Sequence, residues 1–341
     1  SAQQRISLDD DWRFHFGHAA NPDKDFDYGN KLLFHKSNVF ETTVVNPKFI
    51  DTTWRKINVP HDWVVELPFV KSTTHEMDTH GYKPVGSAYP ETSIGWYRKH
   101  FSIDKKDKDK RFELQFDGIY RNAAIWINGF YVGTNFSGYL GNTYDVTDFM
   151  NFEGDNVIVI RVDATQAEGW FYEGAGIYRH VWLNITNKVF IPEDGIFVHS
   201  EIKGKNAVTT IETTVQNNYL RNSDGIVYSY ITDRNGKILA KTSEQKINLG
   251  IRKEVTLKQK VNLSNVRLWS VDDPYLYKVI TVVKSDNQIV HQTKTRFGIK
   301  NVRFDANEGF FLNGKHLKIQ GTNNHQDHAG IGSALPDYLQ Y

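Results

Sequence analysis

The 341-residue sequence contains no cysteine. This absence excludes disulfides, thiolate nucleophiles and cysteine-based zinc sites, although it does not fix the cellular compartment. No run of about 18 apolar residues is present, so no segment reads as a membrane-spanning helix. Neither sign of charge dominates, because 41 Lys and Arg balance 40 Asp and Glu. We therefore expect no nucleic-acid partner and no membrane partner.

The N-terminus lacks the basic and apolar regions of a signal peptide. It fits either the mature end left after signal cleavage or an expression scar. The first reading favours a soluble protein that is periplasmic or secreted.

Aromatic residues are abundant, at 13% with eight Trp and seventeen Tyr. Aromatic rings fill cores, and sugar rings also stack on them. We expect most of these rings to pack in the core and between domains. The chain length predicts two or three domains.

Nearly every periodic segment alternates with period two, which predicts β-strands. Asn-Gly pairs at 128–129, 235–236 and 313–314 predict hairpin turns, and Asp-Gly pairs at 117–118, 194–195 and 224–225 predict further turns. The clearest strands are predicted at residues 112–116, 124–127, 157–162, 181–185, 227–231 and 277–283.

Composition shifts divide the chain. Trp and Tyr concentrate before residue 183, whereas shorter strands with Thr, Val and Lys run from about Asn187 to Gly298. The second pattern is typical of an immunoglobulin-like β-sandwich, and the larger first part suits a jelly roll. We predict a mainly β fold with domains at 1–186 and 187–299, followed by a third element at 300–341.

The third element begins with the Asn313-Gly314 turn and a predicted strand at residues 317–319. A polar cluster follows, up to His328. Pro336 and Asp337 then predict the start of a helix. One strand and one helix cannot bury both faces of a strand, so we expect this end of the chain to pack on the preceding sandwich or to be poorly ordered.

A series of short motifs runs along nearly the whole chain. Each is weakly specific alone, but their order is informative. They include Val59-Pro-His-Asp-Trp63, Gly95-Trp-Tyr-Arg-Lys-His-Phe101, Phe116-Asp-Gly-Ile-Tyr120, Ile125-Trp-Ile-Asn-Gly129, Trp170-Phe-Tyr-Glu-Gly-Ala-Gly-Ile-Tyr-Arg-His-Val-Trp182, Leu268-Trp-Ser-Val-Asp-Asp-Pro-Tyr-Leu-Tyr277 and Gln320-Gly-Thr-Asn-Asn-His-Gln-Asp-His328. Together they resemble the start of a family 2 glycoside hydrolase, and residues 321–341 are most similar to its β-galactosidase-like branch.

The resemblance implies a jelly-roll sugar-binding domain, an immunoglobulin-like domain and the first strand and loop of a truncated (β/α)₈ barrel at 300–341. Such barrels hydrolyse glycosides by the retaining route with two glutamates. We expect no cofactor and no metal. A complete barrel needs roughly 250 residues, so the catalytic glutamates are expected outside this chain, which alone should be inactive. The implied partner is a β-linked oligosaccharide or polysaccharide glycan, and a homo-oligomer stays open.

The resemblance places His325 at a position that contacts the bound sugar, with Asn324, Asp327 and His328 lining the same lip. A neutral imidazole can donate to or accept from a hydroxyl. A metal site at His325 and His328 is disfavoured because too few ligands are present.

Asp163 is a further candidate for contacting the sugar, and Ala164 is the alternative equivalent of the family position. The alternative role for Asp163 is to accept backbone N–H bonds in a turn.

Two other clusters have structural interpretations. Trp170, Tyr172, Glu173 and Arg179 favour a packed group with a buried Arg–carboxylate pair. His75 and His80 are five residues apart, which does not fit a zinc-protease helix, and an exposed loop is expected there.

Three hypotheses follow. The chain is the N-terminal region of a β-galactosidase-like hydrolase of terminal non-reducing sugars, with β-glucuronidase or β-mannosidase as alternatives within the family. It is instead a stand-alone carbohydrate-binding module that stacks glycans on aromatic rings. Or its two sandwiches only orient a catalytic barrel.

Overall fold

The computed structural model describes residues 3–30, 42–71, 81–166 and 171–339. Two compact units are present: residues 5–185 with 324–341, and residues 1–4 with 186–323. Short 3₁₀ turns lie at Pro22–Asp25, Lys105–Asp107, Thr147–Phe149 and Asp337–Leu339. In the described ranges, no helix is long and apolar enough to cross a membrane.

The strands of the first unit are β1 (Gln3–Ser7), β2 (Trp12–Phe16), β3 (Arg55–Ile57), β4 (Ile94–Phe101), β5 (Arg111–Phe116), β6 (Ala123–Ile127), β7 (Phe130–Asn135), β8 (Asn142–Asp145), β9 (Asn156–Asp163) and β10 (Val181–Thr186). They form a four-stranded sheet, β1-β10-β5-β8, and a six-stranded sheet, β3-β2-β4-β9-β6-β7. This is the jelly-roll sandwich predicted from the sequence.

The alternation along β4 shows how the six-stranded sheet buries both faces. Tyr97 packs in the main core with residues of the four-stranded sheet such as Leu114 and Leu183. Its neighbour Trp96 points to the other face and packs with Trp54 and Trp126. Because successive side chains of a strand alternate between faces, one strand serves two hydrophobic clusters.

The strands of the second unit are β11 (Val189–Phe190), β12 (Ile196–Lys203), β13 (Asn206–Asn217), β14 (Ser223–Thr232), β15 (Ile238–Lys241), β16 (Gln245–Leu249), β17 (Glu254–Leu263), β18 (Tyr277–Ser285), β19 (Gln288–Phe297), β20 (Val302–Asp305), β21 (Gly309–Leu312) and β22 (Lys315–His316). One sheet orders β11-β13-β12 with β17 on β13, and the other orders β15-β14-β18-β19 with β16 on β14. These two sheets form the immunoglobulin-like sandwich.

A small sheet, β20-β21-β22, follows the second sandwich. The Asn313 side chain donates to the carbonyl of Trp269 at 3.0 Å, and the Asn313 N–H donates to Asn301 O at 2.9 Å. Asn313 therefore connects the turn between β21 and β22 to Trp269 and Asn301, which precede the small sheet.

The predicted strands are confirmed as β5, β6, β9, β10, β14 and β18, and the Asn-Gly turns lie between strands as predicted. The turn predicted at 224–225 is wrong. Asp224 and Gly225 lie inside β14, where Gly225 pairs with Ile247. A Cβ at Gly225 would lie 2.9 Å from the carbonyl oxygen of Lys284, so glycine is needed here for close strand approach.

The predictions for the end of the chain are partly wrong. Residues 317–319 form no strand, and only the 3₁₀ turn Asp337–Leu339 forms where a helix was predicted. The strands that precede this segment, β20, β21 and β22, pair antiparallel, whereas the strands of a (β/α)₈ barrel run parallel. The end of the chain was expected to pack on the second sandwich, which directly precedes it. Residues from Asn324 onward belong instead to the compact unit of the first sandwich.

Candidate functional site

Residues 324–339, here called the tail, contain a tight turn that follows the polar cluster. The Gly332 N–H donates to His328 O at 2.8 Å, and the His328 N–H donates back to Gly332 O at 3.0 Å. This reciprocal pair closes the turn at residues 328–332 and sets the direction in which Ser333 leaves it.

Asp62 holds the tail against the first sandwich. Its side chain is only 2% exposed. Oδ1 accepts from the N–H groups of Val64 and Ala175, both at 3.0 Å. Oδ2 accepts from the Tyr172 hydroxyl at 2.7 Å and from the Ser333 N–H at 2.8 Å. A buried carboxylate with four donors is well satisfied.

The backbone around Asp62 explains its position. The His61 N–H donates to Ile177 O at 2.7 Å, and the Trp63 N–H donates to Ala175 O at 3.1 Å. Residues 61–63 therefore run beside residues 175–177, and Asp62 lies between two segments of the same unit.

Two glycines close around this carboxylate. Gly174 and Gly332 both have positive φ, +72° and +59°. A Cβ would lie 2.4 Å from Asp62 Oδ2 at Gly174 and 2.3 Å from it at Gly332. Any larger residue would therefore push the backbone away from Asp62 and would be strained at these φ values.

Burial sets the electrostatics of the cluster. It raises the pKa of Asp62, against the hydrogen bonds from Ser333, Ala175, Tyr172 and Val64, which lower it. Burial, followed by the charge of Asp62, also raises the pKa of Tyr172. The phenol therefore stays neutral and donates to Asp62.

The buried Arg–carboxylate pair predicted near here is wrong. Glu173 is buried, and its Oε1 accepts from the Tyr120 hydroxyl at 2.7 Å. Arg179 is exposed, with its guanidinium 5.7 Å from the Tyr178 ring centroid. Glu173 therefore accepts from a phenol, while Arg179 lies at the surface. Trp170, and the loop with His75 and His80, lie outside the described residues.

The structure brings His325 and Asp327 to the same segment of the first sandwich. The His325 ring lies 4.7 Å from the Phe171 ring, centroid to centroid, and Asp327 contributes to the raised pKa of Tyr172. Both side chains are exposed, as are Asn324 and His328. The His328 Nδ1 lies 3.0 Å from Ala329 O. The tail therefore presents a polar, solvent-facing surface beside Phe171.

The fifth candidate, Asp163, ends β9 and has a turn-forming role. Its Oδ1 accepts from the Thr165 N–H at 3.1 Å and from the Thr165 hydroxyl at 2.6 Å. Its Oδ2 lies 3.3 Å from the Arg161 guanidinium. These bonds fit the alternative interpretation, in which Asp163 accepts a backbone N–H bond in a turn. Among the described residues, no hydrogen bond or ion pair joins Asp163 to the tail.

Sequence reasoning missed Asp62 and Ser333. Asp62 lies in the motif Val59-Pro-His-Asp-Trp63, where an acidic residue next to a buried Trp is a signal for a satisfied buried carboxylate. Nothing in the sequence marks Ser333, because its contribution is a backbone N–H.

A second link joins the end of the tail to the sandwich. The His180 ring lies between Asp9 Oδ2, 2.8 Å from Nδ1, and Asp337 Oδ1, 3.3 Å from Nε2. Burial opposes protonation of His180, but the two carboxylates outweigh it and raise its pKa.

Metal ligands do not gather at this site. Across the ranges that the structure describes, no three His, Asp or Glu side chains are placed to hold an ion. The chemistry available on the tail is hydrogen bonding by imidazole, amide and carboxylate groups.

Two family models match the chain. "Glycosyl hydrolases family 2, sugar binding domain" matches residues 7–187, and "Glycosyl hydrolases family 2" matches residues 189–300. The first match alone covers more than half of the chain.

Curated relatives agree with these matches. A β-galactosidase of Bacteroides ovatus is 33% identical over 98% of this chain, and a β-glucuronidase of Formosa agariphila is 30% identical over 90% of it. The matched regions are 36% and 33% of those proteins, so this chain spans about a third of their length.

Solved structures show the same architecture. A β-glucuronidase of glycoside hydrolase family 2 superposes with a TM-score of 0.82 at 26% identity, covering 100% of this chain and 35% of that one. A β-glycosidase from Bacteroides vulgatus gives 0.79 at 30% identity, covering 98% and 39%. From its motifs, its two sandwiches and these matches, the chain belongs to family 2 of the glycosyl hydrolases.

Proposed function

We propose that this chain is the N-terminal region of a retaining β-galactosidase-like glycoside hydrolase, and that its tail forms one wall of the site that binds a terminal β-linked sugar. The observation that carries the proposal is the tail itself: His325 and Asp327 are presented to solvent beside Phe171, on a segment anchored to the first sandwich. Imidazole and carboxylate groups held at a lip suit the hydroxyls of a sugar.

The charge of the tail favours a neutral sugar over a uronate. Residues 324–339 contain Asp327 and Asp337 but neither Lys nor Arg. A uronate carboxylate is best bound by a cationic partner, and an aspartate beside it is repulsive. The β-galactoside is therefore the substrate class that we propose, with a β-glucuronide as the alternative within the family.

A stand-alone module that stacks glycans on tryptophan is less well supported. Trp12, Trp54, Trp63, Trp96 and Trp126 are buried in the first sandwich. Their rings have no free face for a sugar, which agrees with the expectation that most aromatic residues pack in cores. Exposed rings include Phe136 and Tyr139 in the loop after β7, which lie outside the polar tail.

The test is a titration of the 341-residue chain with methyl β-galactoside, followed by the NMR signals of the histidine rings. We expect the His325 signals to shift and the substitution His325→Ala to weaken binding about tenfold, the loss typical of one hydrogen bond. His199→Ala is the matched control, because His199 lies on β12 of the other sandwich.

Two results would contradict this proposal. One is saturable galactoside binding that His325→Ala leaves unchanged. The other is tighter binding of methyl β-glucuronide than of methyl β-galactoside, which would establish the uronate alternative.

A further inference from the structure

We propose that Asp62 is a positioning residue: through its bond to the Ser333 N–H it sets where the tail lies, and so where His325 and Asp327 are presented. The consequence for sugar binding rests on the proposed function. The placement of the tail does not, because it rests on the hydrogen bond between Asp62 and Ser333.

The two oxygens of Asp62 serve different parts of the chain. Oδ1 accepts from Val64 and Ala175, whose N–H groups belong to the segments that flank Asp62 in the sandwich. Oδ2 accepts from Tyr172 and from Ser333 of the tail. Oδ1 therefore accepts hydrogen bonds from backbone N–H groups of the sandwich, and Oδ2 accepts the hydrogen bond from the tail.

Burial and backbone geometry both favour the hydrogen bond between Asp62 Oδ2 and the Ser333 N–H. Asp62 is 2% exposed, so an unfilled Oδ2 would leave a buried acceptor without its N–H donor. Gly332 brings the tail backbone close enough for Ser333 to reach this oxygen, because a Cβ there would lie 2.3 Å from it. The Ser333 hydroxyl adds a second contact by donating to Glu173 O at 3.3 Å.

The anchor and the candidate sugar-binding side chains meet the same stretch of the sandwich. Tyr172 donates to Asp62, while its neighbour Phe171 lies against the His325 ring. Asp327 lies near enough to Tyr172 to raise its pKa, after burial and the charge of Asp62. Releasing Ser333 from Asp62 should therefore also release His325 from Phe171.

The substitution Asp62→Asn separates the two roles. Its oxygen can replace Oδ1 and keep the bonds from Val64 and Ala175. Its NH₂ group then faces the Ser333 N–H, and two donors cannot bond each other. Gly332→Ala tests the same contact from the tail side without changing the carboxylate, since the new Cβ has no room.

The measurement is amide hydrogen exchange of the full 341-residue chain, read residue by residue. We expect both variants to accelerate exchange at Gly332 and Ser333 at least tenfold, while amides of β4 and β9 change far less. The His325 ring should also lose the NMR shift caused by the Phe171 ring. Asp51→Asn is the matched control: it alters a buried carboxylate of the same unit that pairs with Arg98 and not with the tail.

Three results would overturn the inference. Exchange at Ser333 that stays at the wild-type rate in Asp62→Asn would show that Asp62 does not hold the tail. A uniform acceleration equal to that of Asp51→Asn would show general destabilisation only. Wild-type His325 signals in both variants would show that the anchor does not place the histidine.

Sugar binding provides a separate readout. If the proposed function is correct, Asp62→Asn should weaken methyl β-galactoside binding as much as His325→Ala does. If neither variant affects sugar binding but exchange at Ser333 still accelerates, the proposed function fails and the positioning role of Asp62 stands.

Discussion

Arg98, on β4, holds the irregular segment at residues 44–51 against the six-stranded sheet. Its side chain is fully buried, and its Nε donates to Asp51 Oδ2 at 2.7 Å. The guanidinium also donates to the carbonyls of Val44, Asn46 and Phe49. A segment without strands is thereby fixed to the sheet, because a single planar group satisfies several of its backbone acceptors.

We predict that Arg98→Met lowers the free energy of unfolding by about 3–5 kcal/mol, since it removes one of the two side chains that pair with buried Asp51 and leaves three backbone carbonyls without their donor. Burial would raise the pKa of Asp51, but hydrogen bonds from His100 and Arg98 lower it to about 2, which shows how strongly its charge is stabilised. Urea-induced unfolding measures the loss. Lys105→Met, which removes an exposed ion pair with Glu153 in the same unit, should change little; an equal loss in both variants would contradict this account.

At the scale of elements, Gly225 in β14 is a test of strand packing. A Cβ there would lie 2.9 Å from Lys284 O and 3.2 Å from Ile247 Cγ1. Gly225→Ala should therefore destabilise the second sandwich by about 1–3 kcal/mol, although alanine is less flexible in the unfolded chain. Amide exchange in β14 and β18 reports the change. Lys246→Ala, on the exposed face of the paired strand, should have no such effect, and a stabilised Gly225→Ala variant would rule out the close contact as the reason for glycine.

The same glycine shows where prediction from sequence succeeds and fails. Strands such as β5 and β9 are predicted correctly because alternation and β-branched residues are local signals. Asp224-Gly225 has the local signal of a turn, yet its backbone is held in a strand by partners on both edges, β16 and β18. Because those partners are distant in sequence, a turn prediction based on the Asp-Gly pair alone does not take them into account.

The candidate site was predictable to a similar degree. The polar residues of the tail were identifiable from the sequence, and the structure places His325 and Asp327 beside Phe171 and Tyr172. The anchor could not be predicted. It joins Asp62 to a backbone N–H at Ser333, 271 positions away, and a backbone donor carries no sequence signal.

His180 makes the second link of the tail sensitive to pH. Asp9 and Asp337 raise its pKa above the ordinary value of about 6.5 despite the opposing effect of burial. A raised pKa in the folded state means that the link is fully formed below about pH 6.5 and is lost as the pH rises through the pKa of the folded form. We expect the protection of the Leu339 amide, measured against the intrinsic exchange rate at each pH, to fall over that rise, and His180→Gln to remove this fall. An NMR titration of His180 with a pKa below 6.5 would contradict this prediction.

At the scale of the molecule, the arrangement of carboxylates bears on catalysis. Retaining hydrolysis needs two accessible carboxyl groups about 5–5.5 Å apart. Near the described tail, Asp62 and Glu173 are 2% and 4% exposed, and both accept hydrogen bonds within the protein. Asp327 and Asp337 are exposed, and Asp337 pairs with His180. The two buried groups are not free to attack a sugar or to protonate a leaving group.

We therefore predict that the 341-residue chain does not cleave an aryl β-galactoside or an aryl β-glucuronide, even where it binds the sugar. Release of the coloured phenol, followed over hours at high protein concentration, should match that of the Asp327→Asn variant and of buffer. Cleavage by the wild-type chain that Asp327→Asn abolishes would show that the tail itself carries a catalytic carboxylate. Binding without cleavage is the result expected of a region that presents one wall of a sugar site, because stabilising the bound sugar and the transition state equally gives no acceleration of the chemical step.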